Sequence, residues 1–196
     1  MVVASNSPFS SLESYIAAAR KHPGKYTFAS YGPGSLAQMI GELLKKRAGV
    51  DIVHVPYKGG APAIVDVMGG NVDTYFANAA SSLGYITGKK LKALAVTSET
   101  RMKELPDVPT MAEAGMKAIS VLEENGFFLP AGTPPAIVAR LQSAVQSALK
   151  KDEVKEKLDK LGLTPVGSSS SEYAEYIRSE RKLWAEVVKA NRITLE

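Results

Sequence analysis

The stretch Tyr26-Thr27-Phe28-Ala29-Ser30-Tyr31-Gly32-Pro33-Gly34-Ser35, followed by the run Leu36 to Ala48, decides how this chain folds. Tyr26 to Ala29 reads as a strand and Leu36 to Ala48 as a helix. Met39, Leu43 and Leu44 share the buried face of that helix, and Lys45, Lys46 and Arg47 lie near its C-terminal end, where cations suit the dipole. Between strand and helix, Gly32 and Gly34 let the backbone turn tightly and bring its N–H groups toward a ligand, while Ser30 and Ser35 add hydroxyl donors beside the helix start. Such a turn is an anion cradle, suited to a carboxylate or a phosphate. Strand-to-helix loops also use Gly and Ser merely to turn and to cap, so the spacing leaves both uses open.

Working outward, the same strand-turn-helix unit recurs. Ile52 to Val55 reads as a strand, Pro56-Tyr57-Lys58-Gly59-Gly60 as a turn, and Pro62 to Met68 as a helix closed by Gly69-Gly70. The strand Val72 to Phe76 is followed by Asn78 and Ser81 and a short helix through Ile86. Gly88-Lys89-Lys90 then turns into the strand Leu91 to Val96, which leads to Thr97 and Ser98. Upstream, Ser10 and Glu13 form a capping box for a helix through Arg20, which Pro23-Gly24 ends. This alternation predicts an α/β fold with an open, mostly parallel sheet. Four successive strands deliver polar or glycine-rich loops at their C-terminal ends, the edge at which open α/β sheets bind ligands.

That edge supplies further candidates. Tyr57 can stack over or hydrogen-bond a ligand, or buttress its own loop. Lys58 can attract an acid or face solvent. Asn78 and Thr97 each follow a strand and can reach a cleft, though both residue types also serve in local caps and turns. Asp73 would repel an anion and reads as a strand-start or turn residue.

Later in the chain, Leu105-Pro106-Asp107-Val108-Pro109-Thr110 is a proline-punctuated connection, and Thr110 with Glu113 caps a short helix ending at Gly115. Gly126 to Leu129 reads as a strand. Pro130 to Pro135 turns into a helix from Ala136 to Leu149, and Asp152 starts another to Leu161. Ser168 to Ser171 reads as a linker and Glu172 to Ala190 as a last helix. Along it, Tyr173, Tyr176, Ile177, Leu183, Trp184 and Val187 recur at helical spacing and read as core.

Composition removes several functions. The 196 residues include no cysteine, which excludes disulfides, thiolate chemistry and cysteine-ligated metals. The two histidines, His22 in a polar turn and His54 within an apolar strand, have no partners at metal-ligand spacing, so neither a metal nor any other cofactor is expected. A formal charge of +4 is spread over helix faces that mix lysine with glutamate, as in Lys150 to Lys157, and no basic stripe with interleaved aromatics marks a nucleic-acid partner. No apolar run approaches a membrane span. Met1 to Asn6 carries no basic segment and no long apolar segment of a signal peptide.

The runs Phe28-Ala29-Ser30-Tyr31-Gly32-Pro33-Gly34-Ser35, Gly49-Val50-Asp51-Ile52-Val53-His54-Val55-Pro56-Tyr57-Lys58-Gly59 and Asp66-Val67-Met68-Gly69-Gly70-Asn71-Val72-Asp73 occur in a familiar order. They resemble the extracytoplasmic solute-binding proteins of tripartite tricarboxylate transporters, the Bug family. Leu94 to Ser98, Pro106 to Thr110, Pro130 to Pro134 and Trp184 extend the likeness over nearly the whole chain. The resemblance implies two α/β lobes of the type II periplasmic-binding-protein kind closing on a small organic acid in the periplasm, with delivery to membrane transport subunits and no catalysis. It implies that Ser30, Tyr31, Gly32, Gly34 and Ser35 form one of two loops holding a ligand carboxylate.

The family also carries an earlier loop, glycine-rich and ending in aspartate, and nothing before Ser30 matches it. On this reading residues 1–10 lead in from the first lobe and 11–122 form the complete second lobe. Residues 123–196 are the returning C-terminal part of the first. Half a clamp binds weakly, since an exposed helix terminus contributes only about 0.3–1 kcal/mol. An apolar face left open after Gly126 favours packing onto the surviving lobe, homodimerisation or segment exchange.

Three other readings stand beside this one. A phosphate- or nucleotide-binding α/β module lacks here the Gly-Lys-Ser/Thr signature, and an α/β enzyme lacks a nucleophile-base pair other than one through His54. A truncated structural specimen would have no ligand binding of its own.

Overall fold

A computed structural model describes residues 1–117 and 119–191, and its first unit, Met1–Glu123, is built on a five-stranded sheet. The strands are β1 (Val2–Ala4), β2 (Thr27–Ser30), β3 (Val53–Pro56), β4 (Thr74–Tyr75) and β5 (Leu91–Ala93), in the order β3-β2-β4-β1-β5. β2 pairs in parallel with β3 and β4, and β1 is antiparallel to both β4 and β5. Four strands therefore point one way and β1 alone runs against them, as a mostly parallel sheet requires. Residues 1–10, expected to lead in from another lobe, do more than connect. Val2–Ala4 are buried, and their ladder to Leu91–Ala93 joins β5 to the rest of the sheet.

Polar residues fix where the elements start. Asp73 Oδ2 accepts from the Thr27 N–H at 2.8 Å and from Thr27 Oγ1 at 2.9 Å, while Thr27 Oγ1 accepts from the Asp73 N–H at 3.0 Å. This exchange pins the beginnings of β2 and β4 together and gives Asp73 the strand-start role expected of it. Helix α1 (Leu12–Lys21) is capped by Ser11 and Ser14, not by Ser10 and Glu13. Its buried face of Leu12, Tyr15, Ile16 and Ala19 sets the phase of the helix and puts Ser11 at the cap. Helix α2 (Leu36–Ala48) has its expected bounds, with Gly49 in the left-handed region at φ 61° as its stop. Helices α3 (Gly60–Gly69) and α4 (Ala79–Thr87) follow β3 and β4.

The connections explain the geometry of the ligand edge. The chain passes outward from β2 to β3, then back across β2 to β4. Right-handed crossovers in opposite directions put α2 and α3 on opposite faces of the sheet. The packing agrees. A Cβ on Gly41 of α2 would meet the Phe28 ring at 2.1 Å, whereas a Cβ on Gly60 of α3 would meet Tyr75 Oη at 3.0 Å. Tyr75 is in register with Ala29, not Phe28, so its side chain takes the opposite face. A crevice opens at the C-terminal ends of the strands where such a reversal occurs.

The second unit, Glu124–Ala190, contains α5 (Pro135–Leu149), α6 (Asp152–Lys160) and α7, whose span is Ser170–Asn191. The expected strand at Gly126 to Leu129 is not formed. An extended run becomes a strand only when another backbone edge pairs with it, and among the described residues none does; Phe127 and Phe128 stay 83% and 72% exposed. The serines expected as a linker open α7 instead, because Ser169 and Glu172 exchange capping bonds with each other's N–H groups. The stripe expected as core is not buried. Tyr173, Tyr176, Ile177, Trp184 and Val187 are half-buried and Leu183 is exposed, since this unit offers helices but no sheet to cover them. The region assigned to 123–196 runs past the described residues at 192–196.

Candidate functional site

The turn from Ser30 to Ser35 lies between the C-terminal end of β2 and the first turn of α2. Gly32 has φ 148° and Gly34 φ 73°, backbone conformations that a side chain would strain. Much of the cradle is internally satisfied. The Gly32 N–H donates to Ser30 Oγ at 3.3 Å, the Ser35 N–H donates to the Gly32 carbonyl at 3.2 Å, and the Gly34 N–H donates to Gln38 Oε1 at 2.7 Å. Ser35 Oγ caps the helix by accepting from the Gln38 N–H at 3.4 Å. Gln38 was missed in the sequence, although Ser35-x-x-Gln38 has the form of a capping box. Here its amide oxygen lies against a cradle N–H, as an acceptor oxygen of a ligand would.

Ser30 is fully buried, and its Oγ lies 2.7 Å from His54 Nε2. His54, expected inside an apolar strand, is half-buried on edge strand β3 and stacked on Phe28 with ring centroids 4.9 Å apart. Burial, then the Lys45 charge, hold its pKa below the ordinary value. The buried hydroxyl is thereby tied to the fold, where it shapes the turn. Tyr31 is half-buried. Burial and the Glu123 carboxylate push its phenol up, while the Ala37 and Leu36 backbone N–H groups pull it down, which puts the phenol at the first turn of α2.

The remaining candidates divide by use. Tyr57 Oη donates to Asp66 Oδ2 at 2.6 Å, and Asn71 Nδ2 donates to Asp66 Oδ1 at 3.2 Å, so Tyr57 buttresses the loop after β3 against α3. Burial and that bond raise its phenol to about 12. Lys58 is exposed. Asn78 caps α4, with Oδ1 accepting from the Ser81 N–H at 3.2 Å and from the Ser81 hydroxyl. Thr97 follows β5 half-buried, and its carbonyl accepts from the Val121 N–H at 2.9 Å. Tyr75 was not singled out from the sequence, where it reads as one aromatic in a strand. Its side chain is fully buried, its hydroxyl has no hydrogen-bond partner among the described residues, and burial together with Tyr31 and Glu123 raises its phenol.

This edge gathers backbone N–H groups at two helix starts, two phenols and small hydroxyls, a chemistry suited to an acceptor-rich anion. Among the described residues no group of three His, Asp or Glu side chains is arranged to hold a metal ion, and no helix is long and apolar enough to cross a membrane.

An open, mostly parallel sheet whose polar turns meet at a strand-order reversal defines a lobe of the type II periplasmic-binding-protein kind. The family model described as "Tripartite tricarboxylate transporter family receptor" matches residues 1–193, and the chain belongs to that family. It is 37% identical over 194 residues to a protein of Pseudomonas sp. strain P51 described as "UPF0065 protein in tcbD-tcbE intergenic region", a match covering 98% of this chain and 58% of that protein. A solved structure of a periplasmic transporter superposes with a TM-score of 0.93 at 35% identity, covering all of this chain and 65% of the other. The R. palustris protein Rpa4515, solved with adipate, superposes with a TM-score of 0.92 at 31% identity, covering 98% of this chain and 64% of the other. The chain thus spans roughly six-tenths of the length of these three relatives.

Proposed function

We propose that this chain recognises a small organic carboxylate in the periplasm, as part of a solute receptor that delivers its ligand to the membrane subunits of a tripartite transporter. The observation that carries this reading is the Ser30–Ser35 turn, which sits over the first turn of α2 at the C-terminal edge of the parallel strands. Membership of a receptor family and the adipate held by Rpa4515 support the same ligand class. Within this reading Ser30, Tyr31, Gly32, Gly34 and Ser35 form the carboxylate loop, Asn78 follows the neighbouring strand β4, Thr97 lies farther along the same edge after β5, and Tyr57 stiffens the turn after β3.

Isothermal titration calorimetry against mono-, di- and tricarboxylates and acidic amino acids, with phosphate as control, tests it. One carboxylate is expected to bind, more weakly than a relative of full family length binds its own ligand, and Ser35→Ala should abolish the heat. Silence across the panel in a chain that melts cooperatively would remove ligand recognition from this chain by itself. Preference for phosphate would overturn the carboxylate reading.

A further inference from the structure

Two caps elsewhere in this chain show which residue type the start of a turn or helix favours. Glu113 Oε2 accepts from the Thr110 N–H at 2.8 Å, and Glu172 Oε2 accepts from the Ser169 N–H at 2.7 Å, each carboxylate standing three residues after its hydroxyl partner. At a helix start such a charge satisfies a backbone donor and also neutralises the positive end of the dipole. In α2 the corresponding residue, three after the cap Ser35, is Gln38, and it is neutral.

The same contrast extends over the sheet. α1, α6 and α7 carry acids in their first turns, Glu13, Asp152 with Glu153, and Glu172. α2, α3 and α4 carry none there, and neither does α5. Within the first unit the division follows strand direction. α2, α3 and α4 leave the C-terminal ends of the parallel strands β2, β3 and β4, whereas α1 follows the antiparallel β1 and starts from the opposite edge. The edge read as ligand-binding is the one whose helix starts hold no negative charge.

Gln38 is where this matters most, because its side chain is part of the turn. It is 3% exposed, and its Oε1 accepts from the Gly34 N–H at 2.7 Å, while the N–H of the cap itself donates to the Gly32 carbonyl at 3.2 Å. Gln38 thus reaches one residue further back than Glu113 and Glu172 do, and ties down Gly34 in the left-handed conformation at φ 73°. A glutamate could make the same bond with a stronger acceptor. It would also set a full negative charge against the donors of the turn, and an arriving anion would meet its repulsion. The amide supplies the acceptor without the charge.

We propose that Gln38 sets the charge that the Ser30–Ser35 turn accepts: as a neutral acceptor it positions Gly34 and leaves the positive end of α2 to an anion, and a carboxylate at the same position would close the turn to anions. This rests on the carboxylate reading given above. Gln38 is a positioning residue, acting through the Gly34 N–H and the field of α2.

Adipate and its neutral diamide, adipamide, are the probes, titrated calorimetrically into the unaltered chain, Gln38→Glu, Gln38→Met and Leu36→Glu. Gln38→Met keeps the length of the side chain without acceptor or charge, and measures what loss of the bond alone does. Leu36→Glu brings a carboxylate into the same first turn from a half-buried position, and carries the test if Gln38→Glu does not fold. Both glutamate variants should weaken adipate by about tenfold or more, the effect of a like charge within about 6 Å at the effective dielectric near a protein surface. Adipamide should suffer no more in them than in Gln38→Met, and Gln38→Met should keep the preference for adipate. A merely structural tie would weaken both probes alike. Adipate held by the folded Gln38→Glu as tightly as by the unaltered chain would overturn the inference and leave the carboxylate reading intact, as would unchanged binding by Leu36→Glu where Gln38→Glu does not fold. Equal losses of adipate in Gln38→Glu and Gln38→Met would overturn it too. If no acid of the panel described above binds the unaltered chain, the carboxylate reading falls and this inference falls with it.

Discussion

At the scale of single residues, the contact between Ser30 and His54 couples the turn to pH. The hydroxyl can donate to a neutral Nε2, or it can accept from the ring and donate to the Gly32 carbonyl 3.1 Å away. Protonating the ring leaves only the second arrangement. Because burial and Lys45 hold the His54 pKa below its ordinary 6.5, the unfolded chain takes up this proton first as pH falls. The contribution of the neutral ring is therefore complete above about pH 6.5 and is lost as pH drops through the folded-state value. We expect Tm of the unaltered protein to fall more steeply between pH 7 and 5 than that of His54→Gln, since carboxylate titrations are common to both. An imidazole that titrates by NMR at or above 6.5 would contradict the burial and charge argument.

At the scale of elements, glycines in two helices make opposite predictions. Gly41 lies in α2 where any Cβ would enter the Phe28 ring, so Gly41→Ala should destabilise the protein by about 1–3 kcal/mol despite the better helix propensity of alanine. Gly84 lies exposed in α4 with nothing within 4 Å of a built Cβ, so Gly84→Ala should stabilise by about 0.5–1 kcal/mol. Urea unfolding of both variants checks the pair, and the same sign of change in both would refute the packing assignment. The elements legible in the sequence were those whose signals are local. α2 showed its face, its basic end and its glycine stop together, and Thr110 and Glu113 exchange capping bonds as expected, although they close a turn and no helix forms there. What escaped were features set at long range. Val2–Ala4 became a strand because two strands offered edges to it, while Gly126 to Leu129 remained unpaired because nothing among the described residues did. The candidate site divides in the same way. The glycine turn was visible, whereas Gln38 against Gly34, His54 against Ser30 and the unpaired Tyr75 hydroxyl depend on how elements pack.

At the scale of the whole molecule, the second unit exposes Phe127, Phe128, Ile137, Leu141, Val166 and Leu183. Single exposed apolar residues are ordinary, but this many within one helical unit favour association. Analytical ultracentrifugation is expected to show self-association rising with concentration; a clean monomer throughout would count against it. The placement of β1 bears on how the molecule is made. Val2 is in register with Tyr75 at a single position on one side, whereas Val2, Val3 and Ala4 face Ala93, Lys92 and Leu91 on the other, and the Met1 amino group reaches the Ala95 carbonyl across 94 residues of sequence. Partners so distant meet late, because the loop between them must close before the pairing is rewarded. β2, β3 and β4 are linked by nearer crossovers and can assemble first, with β5 docking only when β1 is inserted. In pulse-labelled hydrogen exchange, the amides of Leu91–Ala93 should gain protection after those of Thr27–Ser30. The sheet would then have a last-closing seam, with Val2–Ala4 waiting unpaired until a strand some ninety residues further along the sequence has been synthesised.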